Sequence, residues 1–162
     1  MIELEIGFGH SCVLFKLAKI YPDRKFIGVE KEIDCNAEYI SMLEKNPNVK
    51  LIYDDIINVI PTIGNNSITR IHIYFPPPPR QLRYITLDFV SELYRILELG
   101  GIIKIITDDL DYYIEIQKNF DNNYWVFLPW ESLPFRLQPD LLVGTKCEKI
   151  FSSKYFLECG KI

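Results

Sequence analysis

The chain has 162 residues, a hydrophobic content of 48% and a formal charge of −4, enough for one domain with a substantial core over residues 1–162. No apolar run approaches the ~18 residues of a membrane span, and Met1 leads directly into a charged strand, so neither a membrane segment nor a signal peptide is expected. Acids and bases are spread evenly along the chain, with local basic clusters only at Arg80/Arg83 and Lys146/Lys149/Lys154, which counts against strong autonomous binding of nucleic acid. Cys12, Cys35, Cys147 and Cys159 form no C-x-x-C pair and have only His10 and His72 as possible co-ligands. No metal site is expected, and scattered reduced thiols suit a cytoplasmic protein.

Ile2, Leu4 and Ile6 form an apolar run broken by Glu3 and Glu5, which reads as a strand. Gly7-Phe8-Gly9 lets the backbone turn sharply after it. Val13, Leu14, Leu17 and Ala18 then recur at helical spacing behind Ser11. Phe26–Val29 is a second short strand, closed by Glu30. Glu5 and Glu30 therefore fall at the C-terminal ends of neighbouring parallel strands, the edge where open α/β sheets bind ligands. A helix is expected over Ile33–Lys45, broken by Asn46-Pro47-Asn48. A third strand over Val49–Tyr53 ends in Asp54 and Asp55, either of which suits the N-cap of a short helix over Ile56–Ile60.

Gly64–Ser67 is a turn and Ile68–Phe75 a buried strand. The four prolines Pro76–Pro79 then force a stiff, extended loop. Leu87–Leu99 reads as an amphipathic helix ended by Gly100-Gly101, and Ile102–Thr107 as a fifth strand. After Asp108-Asp109, either of which suits the N-cap, a helix is expected from about Tyr112 to Phe120. The aromatic-rich remainder, Tyr124–Ile162, is expected to supply the last strands, with Tyr155–Cys159 hairpin-like. Five strands alternating with helices define a doubly wound, mostly parallel α/β sheet.

The glycine loop discriminates between nucleotides. A dinucleotide fingerprint, G-x-G-x-x-G, would put its third glycine at Cys12, and here Glu5 stands just before the first. A carboxylate beside the loop repels a pyrophosphate and attracts an ammonium group. The pattern E-x-G-x-G, with a second acid 21 residues beyond Gly9, resembles class I S-adenosylmethionine-dependent methyltransferases. The resemblance implies that the first motif holds the amino-acid end of that cofactor and that Glu30 binds its ribose hydroxyls. It also implies that an acid after strand three, Asp54 or Asp55, lies near the adenine.

Further segments, in order, resemble the bacterial-type tRNA (guanine-N7-)-methyltransferases. They are Leu4–Gly9, Leu17-Ala18, Pro22-Asp23, Phe26–Glu30, Asn48-Val49 leading to Asp55, and Asn66–Ile68 leading to Tyr74-Phe75-Pro76. Leu97–Gly101, Thr107-Asp108 and Thr145-Lys146-Cys147-Glu148, similar to the family's T-K-F-E, complete the match. The resemblance implies Glu5, Gly7, Gly9, Glu30 and Asp55 as cofactor contacts. It implies Asp108, Thr145, Lys146 and Glu148 as guanine- or substrate-side contacts, with Arg80 beside them; Asp108 is the carboxylate best placed to stabilise charge in catalysis, and Asp109 competes for that task. Three departures stand out. The family's F-P-D-P-W becomes Phe75–Pro79, putting Pro77 where the family has its functional Asp; the basic run after it shrinks to Arg80 and Arg83; and the family's basic N-terminal arm has no counterpart. Ser11 also replaces the third glycine of the first motif.

Two readings of different class are compatible with these features. One is methyl transfer from S-adenosylmethionine to guanine N7 of tRNA or a related RNA. The other is a cofactor-binding paralogue without catalysis, or one acting as a partner subunit, with a second protein supplying the missing basic surface.

Overall fold

The computed structural model describes residues 1–9, 13–32, 40–41, 44–76, 84–121, 124–128 and 155–162. Seven strands make one sheet: β1 (Ile2–Ile6), β2 (Lys25–Glu30), β3 (Val49–Tyr53), β4 (Ile68–Tyr74), β5 (Leu97–Thr107), β6 (Trp125–Phe127) and β7 (Tyr155–Lys161). Their order is β3-β2-β1-β4-β5-β7-β6. The first five run parallel, and β7 is antiparallel to both β5 and β6. The doubly wound, mostly parallel sheet expected from the alternation is the one observed. The helices lying wholly within the described residues are α1 (Val13–Ile20), α2 (Ile56–Val59), α3 (Leu87–Ile96) and α4 (Leu110–Phe120), with a 3-10 turn over Ile60–Thr62. Of the helix expected over Ile33–Lys45, the described residues Ile40, Ser41 and Glu44 are helical. No helix among the described residues is long and apolar enough to cross a membrane.

Helix α3 forms because Phe89, Val90, Leu93 and Ile96 put one apolar stripe on the sheet. The Thr86 hydroxyl caps it by accepting the Phe89 amide at 3.3 Å. It ends at Ile96, three residues short of the expected Leu99. Leu97 is already extended, with φ −74° and ψ 137°, and begins β5. The glycines expected to end the helix lie inside that strand. Ile68 pairs with Leu97 and Arg70 with Ile102, so five steps along β5 match two along β4. Gly100, at φ +75°, absorbs the surplus. Lys161 completes the helix end, its Nζ donating to Tyr94 O at 2.9 Å and Leu97 O at 2.8 Å.

The two faces of the sheet differ in chemistry. One packs Leu4, Ile6, Ile71, Ile73, Ile103 and Ile105 against α3 and α4 in an apolar core. The other meets α1 through Phe26, Tyr74 and Ile106 and also carries charge. Glu5, His72, Lys104 and Glu158 are register partners across β1, β4, β5 and β7, so they share that face. Glu3 and Arg70 form the next row. Glu3, Glu5, His72, Lys104 and Glu158 are all at most 3% exposed. Burial lowers the Lys104 ammonium and raises the Glu158 carboxyl, and the opposite charge of each restrains the shift of the other.

Candidate functional site

The C-terminal ends of the five parallel strands converge on one edge, and the acids singled out in the sequence arrive there from separate strands. After β1 the chain turns through Gly7 at φ +74° and Gly9 at φ +43°, conformations that favour glycine. The Gly7 amide donates to Val29 O at 2.8 Å. Among the described residues, a Cβ at Gly7 would meet nothing within 4 Å, and one at Gly9 only the Glu30 carboxyl at 3.7 Å. Between the glycines, Phe8 turns inward, fully buried, with its ring edge-on to Tyr53 at 6.2 Å.

Glu30 holds this loop in place. Its Oε2 accepts the Gly9 amide at 2.8 Å and its Oε1 the Glu32 amide at 2.9 Å. Each oxygen keeps a lone pair for a second donor, so the carboxylate fits a vicinal diol such as a ribose. Glu5 lies deeper, 1% exposed and flanked in register by Gly28 and His72. After β3, Asp55 caps α2 by accepting the Ile57 amide at 3.2 Å, and its other oxygen pairs with Lys31 Nζ at 2.9 Å. The Lys31 hydrogen bond, followed by that of the Ile57 amide, holds the Asp55 carboxyl below its ordinary range. Asp54 instead accepts from the Asp55 amide and the Asn58 side chain.

Asp108 and Asp109 both suited the cap of the following helix, and Asp109 takes it, accepting the Tyr112 amide at 2.8 Å. That helix accordingly starts at Leu110, two residues before the expected Tyr112. Asp108 is left half-buried at the end of β5 with no capping duty. At the end of β4, Phe75 adopts φ +51° while its amide donates to Ile106 O at 2.7 Å. Arg80, Thr145, Lys146 and Glu148, together with Pro77, Ser11 and Cys12, lie outside the described residues. No group of three His, Cys, Asp or Glu side chains able to hold a metal occurs among the described residues.

Beneath this edge lies a network that sequence reasoning missed. Arg24 Nη1 donates to Glu3 Oε1 at 2.7 Å, Glu3 Oε2 lies 3.0 Å from His72 Nε2, and His72 Nδ1 lies 2.8 Å from the Tyr74 hydroxyl. Burial acts to raise the Glu3 carboxyl. The hydrogen bond and charge of His72, the Arg24 hydrogen bond and the Arg70 charge outweigh it and bring Glu3 to about 2, from an ordinary 4.5. Burial lowers His72 despite Glu3 beside it, with Lys104 and Arg70 adding to the effect.

These signs set the pH dependence of stability. Glu3, depressed in the fold, contributes stability that is complete above pH 4.5 and is lost as pH falls toward 2. This amounts to about 3 kcal/mol. His72, also depressed, begins to lose its contribution as pH drops below 6.5. The groups acting on or beside His72 are Glu3 and Glu5 on β1, Arg70 and Tyr74 on β4 and Lys104 on β5. Thermal melts from pH 7 to 2 are expected to show a steep loss below pH 4.5. In Glu3→Gln the melting temperature should start lower at pH 7 and change less over that window. Parallel curves for the two proteins would refute the assignment.

Solved methyltransferases share this architecture. The 16S rRNA methyltransferase KamB matches with a TM-score of 0.71 at 13% identity, covering 99% of this chain and 87% of that one. A SAM-dependent methyltransferase from Aquifex aeolicus matches with a TM-score of 0.65 at 15% identity, covering 100% and 82%. The fold is that of the class I S-adenosylmethionine-dependent methyltransferases. The family model described as "Putative methyltransferase" matches residues 1–153, and the chain belongs to that methyltransferase family. The tRNA (guanine-N(7)-)-methyltransferase of Chloroherpeton thalassium is 28% identical to it, over 99% of this chain and 71% of the relative. The enzyme of the same name from Buchnera aphidicola subsp. Baizongia pistaciae is 33% identical, over 91% of this chain and 64% of the relative.

Proposed function

We propose that this protein transfers a methyl group from S-adenosylmethionine to N7 of a guanine in tRNA or a related RNA. The observation that carries the cofactor half is the positive-φ glycine loop at the C-terminal edge of the sheet, braced by the Glu30 carboxylate. The substrate half draws on the relatives, both named tRNA (guanine-N(7)-)-methyltransferase. In this reading Gly7 and Gly9 give the amino-acid end of the cofactor close access to the backbone. Glu5 contributes negative potential beneath it, Glu30 accepts from the ribose hydroxyls, and Asp55 stands at the adenine side once Lys31 yields.

When bound, S-adenosylmethionine supplies an electrophilic methyl on a sulfonium. The protein's task is then to orient the guanine in line with that bond and to exclude water. N7 already has a lone pair, so no side chain has to remove a proton. The methylated ring is cationic, and a carboxylate close to it lowers the barrier. Pro77 cannot provide one. Asp108, released from capping by Asp109, takes that part, while Arg80, Thr145, Lys146 and Glu148 hold the RNA side.

Incubation with labelled cofactor and unmodified tRNA, followed by digestion to nucleosides, is expected to yield 7-methylguanosine. Asp108→Asn should lower kcat at least tenfold with little change in cofactor affinity. A second reading, a cofactor-binding paralogue or partner subunit, is favoured by Pro77 and by the net charge of −4. Cofactor binding without label in any RNA, with or without a basic partner protein, would select it.

A further inference from the structure

At the C-terminal end of β5 the fold sets two tyrosine rings against each other. β7 runs antiparallel to β5, so its first residue, Tyr155, pairs with Thr107, the last of β5. Tyr113 lies in the first turn of α4, its amide donating to Asp109 O at 3.0 Å. The two ring centroids are 5.6 Å apart, with their planes 31° from parallel. The other aromatic pairs between described residues meet more steeply, at 52–82°. A steep pair points the edge of one ring at the face of the other. A near-parallel pair leaves an outer flat face on which a third ring can continue the stack.

Both rings are held in place. Gln117 Nε2, one turn along α4, donates to the Tyr113 hydroxyl at 3.0 Å. Leu157 and Cys159 continue the Tyr155 face of β7 into the core, where each is at most 3% exposed. The two tyrosines themselves are half-buried, so neither ring is sealed within that core.

Asp108 sits between the two anchors. Thr107, paired with Tyr155, precedes it, and Asp109, bonded to Tyr113, follows it. A carboxylate and a pair of π faces are thus gathered at one strand end. The face of an aromatic ring carries negative potential and attracts a cation lying against it. Unstacked bases of RNA are commonly bound by stacking on such rings, and a base undergoing chemistry has to leave its own stack.

In the transfer proposed above, the N7 lone pair forms the new C–N bond while the C–S bond breaks and its electron pair stays on sulfur. The positive charge passes from the sulfonium to the guanine ring, and no proton moves. We propose that Tyr155, backed by Tyr113, is a further catalytic residue: the accepting guanine stacks on it, and its π electrons stabilise the charge growing on that ring. The choice of guanine rests on the function proposed above; the preference for a cationic base does not.

Titration calorimetry at mildly acid pH compares 7-methylguanosine monophosphate, whose base is then cationic, with guanosine monophosphate. The wild type is expected to bind the methylated nucleotide about tenfold more tightly. Tyr155→Leu should cut that preference to about threefold or less, the remainder coming from Asp108, while Tyr155→Phe, which keeps the ring, should retain it. In RNA methylation, kcat should fall about tenfold in Tyr155→Leu and stay within about twofold in Tyr155→Phe, with KM for S-adenosylmethionine unchanged in both. Equal affinity of the wild type for the two nucleotides would overturn the inference. So would a preference that Tyr155→Leu leaves intact. If Tyr155→Leu does not fold, Tyr155→Trp decides: its stronger π face must raise the preference, and an unchanged one refutes the platform. A protein that prefers the methylated nucleotide yet methylates no RNA would refute the proposed transfer and keep the platform. Methylation at N7 with an intact preference in Tyr155→Leu would do the reverse.

Discussion

Replacing Gly28 with alanine is expected to lower the melting temperature by several degrees and to weaken S-adenosylmethionine binding tenfold or more. The added Cβ would sit 2.8 Å from Phe8 Cδ1, 2.9 Å from Leu14 Cδ2 and 3.0 Å from Leu51 Cδ2. The two leucine methyls are the ends of flexible side chains and can rotate aside. The Phe8 ring cannot, because it is fully buried and its backbone is held between the positive-φ glycines 7 and 9. Moving the ring means moving the loop, and with it the Gly9 amide that Glu30 holds. Overpacking of this kind costs ~1–3 kcal/mol, and each kcal/mol lowers the melting temperature by roughly 2–4 °C in a chain of this size. Calorimetric melting and cofactor titration on one preparation would check both effects. Wild-type affinity in a destabilised variant would show that the ring and the loop move independently.

Glu30→Ala should weaken the cofactor by about 10- to 100-fold. Its carboxylate makes charge-assisted hydrogen bonds to the backbone amides of Gly9 in the loop and of Glu32 and, in the proposed function, the bonds to the ribose hydroxyls as well. Hydrogen bonds to a charged group contribute about 1.5–3 kcal/mol, the equivalent of one to two decades in Kd. Glu30→Gln keeps the length and one acceptor oxygen, so it should fall between the alanine variant and wild type. Titration calorimetry detecting no S-adenosylmethionine binding to the wild type would refute the cofactor reading itself, independently of any substitution.

The first thirty residues were the most legible part of the chain, because turn chemistry and periodicity agree there. Ile2–Ile6, the two glycines, the helix holding Val13 and Leu17, and Phe26–Glu30 all lie where the pattern puts them. What the pattern did not reveal is that the polar half of β1 is buried. Glu3 and Glu5 alternate with apolar residues as on a half-exposed strand. In the centre of a doubly wound sheet, however, both faces are covered; Glu3 survives there by pairing with Arg24 and His72, and Glu5 lies in one row with His72, Lys104 and Glu158. His72, Lys104 and Glu158 come from β4, β5 and β7, far along the chain, and even Arg24 lies 21 residues from Glu3, so no local rule links them. The shortened α3 has a similar cause. Gly100-Gly101 has the composition of a helix stop, but Lys161, more than sixty residues away, closes the helix end earlier. Asp109 was readable as a cap, and only the structure could choose it over Asp108.

The position of β7 has a consequence for how the protein folds. It comes after every other described strand in the chain, yet it lies between β5 and β6. Every strand of the parallel half precedes β7 in the chain, so that half can form before β7 is made. The β5 edge, lined by Ile103 and Ile105, then waits for a partner some fifty residues downstream. Long-range pairing of this sort is slow, and an open strand edge invites pairing with another chain in the meantime. The nascent protein is therefore expected to be most exposed to aggregation in the interval after β5 emerges and before β7 arrives.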